Sequence, residues 1–293
     1  MISIQRPRRS VLYMPGSNAR ALEKGRALAT DALILDLEDA VSTVNKVEAR
    51  GLVVKALNQG GYGNRELIVR VNDLDTVWGQ DDVRAIAKTS ADAILLPKVE
   101  TAQQIKSLID LMDASGATQT MSVMCMMETP LGMLNAKEIA AASNRISCFI
   151  MGTSDLVKDL HAQHTRMRLP VITSLGICLL AARAYGIGII DGVCLDLNDD
   201  EGFEKSCEQG LELGFDGKTL IHPKTIITAN KTFGPSSQAI EKAHEIVRAF
   251  DDANDKGQGV VVLNGQLIEN LHAEEAKRLI ALSDIIAELE QNT

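Results

Sequence analysis

The chain has 293 residues, 45% hydrophobic and 24% charged, a packed globular composition that excludes disordered, collagen-like and coiled-coil classes. Thirty Lys and Arg against 39 Asp and Glu leave a net charge of −9, which excludes the broad positive surface that nucleic acids and acidic membranes require. The expected partner is a small molecule, with no nucleic acid and no membrane.

Short β-rich apolar runs alternate with longer helical patterns, the signature of βαβ units around a parallel sheet. Strands are predicted over 10–13, 32–37, 67–71, 93–96, 122–127, 146–151, 188–191 and 217–221, with helices over 19–29, 46–58, 81–88, 102–114, 131–142, 173–185 and 199–213. Eight strands at a mean step of about 29 residues match the roughly 31 of an eight-unit barrel. A doubly wound sheet would carry GxGxxG after its first strand, where this chain has Pro15-Gly16-Ser17-Asn18. Gly60-Gly61-Tyr62-Gly63 precedes a strand and reads as a turn, and Gly217-Lys218-Thr219 lacks the first glycine of a phosphate-binding loop, Glu212 standing in its place. The expected fold is a (β/α)8 TIM barrel over 1–232, with a C-terminal helical arm or lid over 233–293. That arm should hold helices over 237–250 and 273–290 and an apolar run at 260–263.

Five cysteines without a CxxC pair read as reduced thiols of a cytoplasmic protein. No apolar leader follows Met1, and no run reaches the ~18 apolar residues of a membrane span. Charge is uneven: residues 1–26 hold Arg6, Arg8, Arg9, Arg20, Lys24 and Arg26 against Glu23, 6 − 1 = +5, while the remainder holds 24 − 38 = −14. A local basic patch suits a phosphorylated ligand on an otherwise acidic protein, or is a solvated terminus.

Barrel enzymes draw their chemistry from the C-terminal strand ends. In order these carry Asp36, Glu38 and Asp39; Arg70 and Asn72; Lys98 and Glu100; Glu128; Asp155; Asp191; Lys218 and His222. Glu128 and Asp155, one strand apart, offer oxygen ligands for a hard cation, Mg2+ first and Mn2+ second. As alternatives they cap helices or pair with Arg70 and Lys98. Asp36, Glu38 and Asp39 either hold metal-bound water, act as a general base, or bridge to Arg50, Lys46 or Lys98. Arg70 is a donor fork for a substrate carboxylate, whereas Lys98, among acids, is expected to be an ion-pairing ammonium. His161 and His164 read as surface residues.

Arg9-Ser10-Val11-Leu12-Tyr13-Met14-Pro15-Gly16, Leu35-Asp36-Leu37-Glu38-Asp39-Ala40-Val41, Arg70-Val71-Asn72, Leu96-Pro97-Lys98-Val99-Glu100, Met127-Glu128-Thr129, Gly152-Thr153-Ser154-Asp155 and Ile221-His222-Pro223 occur in this order. Together they resemble the citrate lyase beta subunit-like family of the HpcH/HpaI aldolase superfamily. The resemblance implies a Mg2+-dependent carbon–carbon lyase acting on a hydroxyacyl-CoA such as malyl-CoA, citramalyl-CoA or citryl-CoA, with an acyl-CoA and a small keto or hydroxy acid as partners. It implies metal binding at Glu128 and Asp155, substrate binding at Arg70, and CoA contacts around Tyr13, Arg20 and Lys24. It also implies a homo-oligomer, trimer or hexamer, in which Glu269 of the tail serves a neighbouring subunit; Glu269 stands where the resembling motif usually has Asp. Two neighbouring activities are malyl-CoA thioester hydrolysis and service as the beta subunit of a multi-subunit citrate lyase acting on carrier-bound substrate. A non-catalytic assembly protein is the reading from another class.

Overall fold

The structure is a computed structural model that describes residues 6–291. Eight parallel strands close into a barrel in sequence order. Along the chain come β1 (Ser10–Pro15), α1 (Ala19–Gly25), β2 (Ala32–Asp36), α2 (Lys46–Gln59), β3 (Glu66–Arg70), α3 (Gly79–Ile86), β4 (Ala93–Leu96), α4 (Ala102–Ala114) and β5 (Ser122–Met127). There follow α5 (Pro130–Leu134), α6 (Ala136–Ala140), β6 (Ile146–Met151), α7 (Thr153–Asp159), α8 (Ile172–Ala184), β7 (Gly188–Asp191), α9 (Asp200–Leu213), β8 (Gly217–Leu220) and α10 (Ile226–Phe233). Pairing of Ser10 with Lys218 and Leu12 with Leu220 joins β1 to β8 and closes the ring.

Alternate residues of each strand divide the core, since successive side chains leave opposite faces of a sheet. Val11, Ile34, Ile68, Leu95, Met124 and Ile190 fill the interior, while Leu12, Leu35, Val69 and Phe149 pack outward against the helices. At the N-terminal end the column is plugged by Arg8, which binds both oxygens of Glu66 at 2.6 and 2.7 Å. Asp36 and Arg70 share the inward parity of Ile34 and Ile68, so they cap the other end of the column.

The predicted helix over 131–142 is two short helices, because Asn135 leaves helical geometry and sends its Nδ2 to the Glu100 carbonyl at 2.8 Å. Two helices are absent from the prediction: α7 starts two residues after β6, with only Gly152 between them, and α10 follows β8 through a short 3-10 turn at Pro223–Thr225.

Beyond α10 lie α11 (Ser237–Asn254), a hairpin of β9 (Val261–Leu263) and β10 (Gln266–Ile268), and α12 (Asn270–Gln291). Phe250, Ile268 and Ala273 bind the hairpin to both helices. The second half of α12 lies across the N-terminal face, where Glu290 pairs with Arg9 at 3.0 Å. The arm is therefore attached opposite the C-terminal strand ends and forms no lid over its own barrel mouth. No helix among the described residues is long and apolar enough to cross a membrane.

Candidate active site

At the mouth, Arg70 is the hub. Its Nε and Nη2 each donate to Asp36 at 2.7 Å, and its guanidinium lies over the Tyr13 ring, 4.9 Å from the centroid. Asp36 is fully buried and also accepts the backbone N–H groups of Glu38 and Ala40, so its oxygens are spent on positioning. Two arms of the expected donor fork are thus spent on Asp36, and Nη1 alone makes no hydrogen bond among the described residues. Nη1 sits 2.9 Å from Glu38 Oε2 and 3.7 Å from Asp39, but its bond to Glu38 is misaligned and that buried oxygen has no hydrogen-bond partner.

Lys98 closes one side. Its Nζ donates to Glu38 Oε1, while its backbone N–H donates to Glu128 Oε1 at 2.8 Å. The backbone there is left-handed, φ 49°, an unfavourable conformation for lysine that aims the amide at Glu128. Despite partial burial, the bond to Glu38 holds the ammonium up to about 12, in agreement with ion pairing. Lys46, missed as a site residue, is buried and donates to the carbonyls of Leu37 and Glu38 at 2.9 and 2.7 Å, fixing the loop that carries Glu38 and Asp39.

Glu128 follows β5 and is 1% exposed; burial pushes its carboxyl up to about 7. Gly152, following β6, makes the room it needs: a Cβ there would lie 2.4 Å from Glu128 Oε2. Asp155 is three residues on, half-buried in the first turn of α7, with no hydrogen bond or ion pair to its carboxylate among the described residues. The mouth holds Asp36, Glu38, Asp39, Glu128 and Asp155 against Arg70, Lys98 and Lys46, 3 − 5 = −2. Two carboxylates with open oxygens, a third orphaned oxygen on Glu38, and this deficit of positive charge fit a divalent hard cation. No group of three His, Cys, Asp or Glu side chains placed to hold a metal occurs among the described residues.

Other expected residues lie elsewhere. Asp191 and Lys218 have the outward parity: Asp191 is buried under α9 and pairs with Lys218 at 2.7 Å and Arg168 at 2.6 Å. Burial opposes its ionisation, yet these two cations hold its carboxyl below the usual range. The basic segment also divides. Arg6, Arg8 and Arg9 pair with Asp92, Glu66 and Asp31 at the N-terminal face, and Arg26 pairs with Glu23, leaving Arg20 and Lys24 exposed on α1 with no ion pair among the described residues. Residues 1–5 lie outside the described residues. Tyr13 belongs to the interior, its hydroxyl 3.4 Å from Met126 Sδ, and not to the α1 surface. Glu269 is exposed between the hairpin and α12, and its carboxylate meets none of the mouth residues of its own chain. His161 and His164 are exposed, as expected.

A closed (β/α)8 barrel with charged side chains gathered at its C-terminal mouth is the architecture of a barrel enzyme. The sequence profile of the HpcH/HpaI aldolase/citrate lyase family matches residues 9–223. The chain is 49% identical over 281 residues to a (3S)-malyl-CoA thioesterase of Cereibacter sphaeroides, covering 96% of both. It is 36% identical to the citrate lyase subunit beta of Leuconostoc mesenteroides subsp. cremoris, covering 96% of this chain and 94% of that one. A solved structure of CitE from Mycobacterium tuberculosis in complex with magnesium, acetoacetate and coenzyme A superposes with a TM-score of 0.77 at 26% identity, covering 97% of this chain and all of the other. The chain belongs to the HpcH/HpaI aldolase/citrate lyase family.

Proposed function

We propose that this chain is a Mg2+-dependent enzyme acting on a hydroxyacyl-CoA of the malyl-CoA type, with thioester hydrolysis as the outcome. The observation that carries the metal and substrate class is the mouth itself: open oxygens on Glu128 and Asp155 beside a buried arginine. The choice of hydrolysis follows the resemblance to the (3S)-malyl-CoA thioesterase, and Mg2+ follows the magnesium complex of CitE; Mn2+ suits the same oxygen donors.

Glu128, through Oε2, and Asp155 would hold the cation, which when bound polarises substrate oxygens as a Lewis acid. Arg70, with Nε and Nη2 fixed by Asp36, presents Nη1 to the substrate carboxylate at no cost of reorganisation. Glu38 takes the proton, from attacking water in hydrolysis or from the substrate hydroxyl in carbon–carbon cleavage. Asp39, 61% exposed, exchanges that proton with solvent. Arg20 and Lys24 of α1 are available to CoA phosphates. Glu269 meets a neighbour's mouth in a homo-oligomer, trimer or hexamer, a reading supported by exposed Leu134 and Leu180 on the adjoining helices α5 and α8.

Carbon–carbon cleavage is the second reading, favoured by the citrate lyase beta relatives. Incubation with malyl-CoA and citramalyl-CoA, with and without Mg2+, decides: malate or citramalate plus free CoA marks hydrolysis, whereas acetyl-CoA with glyoxylate from malyl-CoA, or with pyruvate from citramalyl-CoA, marks cleavage. If Glu128→Ala and Arg70→Ala each kept wild-type turnover at saturating Mg2+, both readings would fail.

A further inference from the structure

The Gly60-Gly61-Tyr62-Gly63-Asn64 turn, which the mouth does not use, walls a cavity of about 510 Å³ at the N-terminal face of the barrel. Three of its carbonyls are taken by three arginines. Gly60 accepts from Arg26 at 2.8 Å, Tyr62 from Arg65 at 2.8 Å, and Asn64 from Arg6 at 2.6 Å. The backbone N–H groups of residues 61–64 make no hydrogen bond among the described residues, and Gly60, Gly61 and Gly63 all have positive φ. Three of the turn's five carbonyls are occupied while the N–H groups of residues 61–64 remain open, an excess of donors as in the backbone concavities that bind anions.

The charged residues of the wall balance, Arg6 and Arg65 against Asp92 and Glu288, but Arg6 is paired with Asp92 while Arg65 has no ion pair among the described residues. Arg65 is 2% exposed, bound only to the Leu28 and Tyr62 carbonyls, and its Nη2 has no partner. A buried uncompensated guanidinium is costly, and an anion above it offsets that cost. The acids on the cavity wall are Asp92, engaged by Arg6 and by the Leu67 N–H, and Glu288 of α12. Pro7, Leu67 and Ile285 supply apolar wall, and the volume exceeds that of a bare ion.

We propose that this cavity binds the phosphate group of a small phosphorylated molecule, at a site separate from the barrel mouth. Calorimetric titration and thermal unfolding of the full chain test it, with inorganic phosphate against chloride at equal ionic strength and glycerol 3-phosphate as the probe with an organic body. Expected are saturable phosphate binding with a rise in Tm, affinity at least tenfold weaker in Arg65→Met and several-fold weaker in Arg6→Gln, and unchanged affinity in Arg70→Ala. In phosphate-free buffer Arg65→Met should lower Tm in either case, because the Leu28 and Tyr62 carbonyls lose their donor, so the reading is the phosphate-dependent rise in Tm, which the variant should lack and a purely structural arginine would leave in place. Glycerol 3-phosphate should bind more tightly than phosphate; equal or weaker binding overturns the organic body. The site is overturned by equal effects of phosphate and chloride, by undiminished affinity in Arg65→Met, or by lost affinity in Arg70→Ala. Should Arg65→Met not fold, undiminished affinity in Arg6→Gln overturns it.

Discussion

Glu128 carries the sharpest test at the scale of single residues. Burial raises its carboxyl to about 7, so the folded protein binds this proton more tightly than the unfolded chain. The associated stabilisation is complete below the unfolded value of about 4.3 and is lost as pH climbs through 7. Without divalent cations, Tm should therefore fall between pH 5 and pH 8, and Glu128→Gln should flatten that fall. Mg2+ competes with the proton, so it should raise Tm at pH 8 and not at pH 5; an equal rise at both would remove Glu128 from the metal site. Asp36 gives a second test. Asp36→Ala removes both of the buried hydrogen bonds that fix Arg70 and leaves it only Glu38 and Asp39, at a cost of up to about 3–5 kcal/mol, and denaturant melts should show it together with a loss of turnover of about a hundredfold from a misplaced Nη1. These residues were legible as charges ending apolar runs. What Arg70 binds was not, because the sequence does not say that Asp36 faces it across the β2–β3 register.

Among elements, strand positions were readable because each run is short, apolar and flanked by turn chemistry. Facing was not. Central strands of a barrel are buried on both sides, so β7 reads as an unbroken apolar run with no alternation to reveal that Asp191 points outward. Lys218→Met should accordingly lower stability by a few kcal/mol, while leaving turnover per folded molecule and Mg2+ affinity within about threefold of wild type. Gly152→Ala should do the reverse. Its Cβ would strike the Glu128 side chain at the end of β6, so circular dichroism should report a native fold while Mg2+-dependent stabilisation drops at least tenfold. That glycine directly after an apolar strand was the available signal of close approach.

For the whole molecule, the arm and the mouth lie at opposite ends of the barrel, and the sequence order of motifs could not show this. A tail acid that serves catalysis must then serve another copy. Co-expression of Arg70→Ala with Glu269→Gln, each inactive alone, should restore part of the activity in mixed oligomers; no restoration would mean Glu269 takes no part in a neighbour's site. The basic terminus shows the same division of labour: Arg8 and Arg9 hold the barrel base and the arm, and the charges left for an anionic ligand at the mouth reduce to Arg20 and Lys24.

The left-handed backbone at Lys98 separates two jobs that one residue performs. Its amide orients Glu128, and its ammonium holds Glu38, yet only the second needs a side chain. Glycine adopts the same φ without penalty, so position 98 can be emptied without moving the amide. The chain thus contains a place where the electrostatics of the mouth can be rewritten while its scaffold stays still, a natural point from which reaction or substrate preference in this family can diverge.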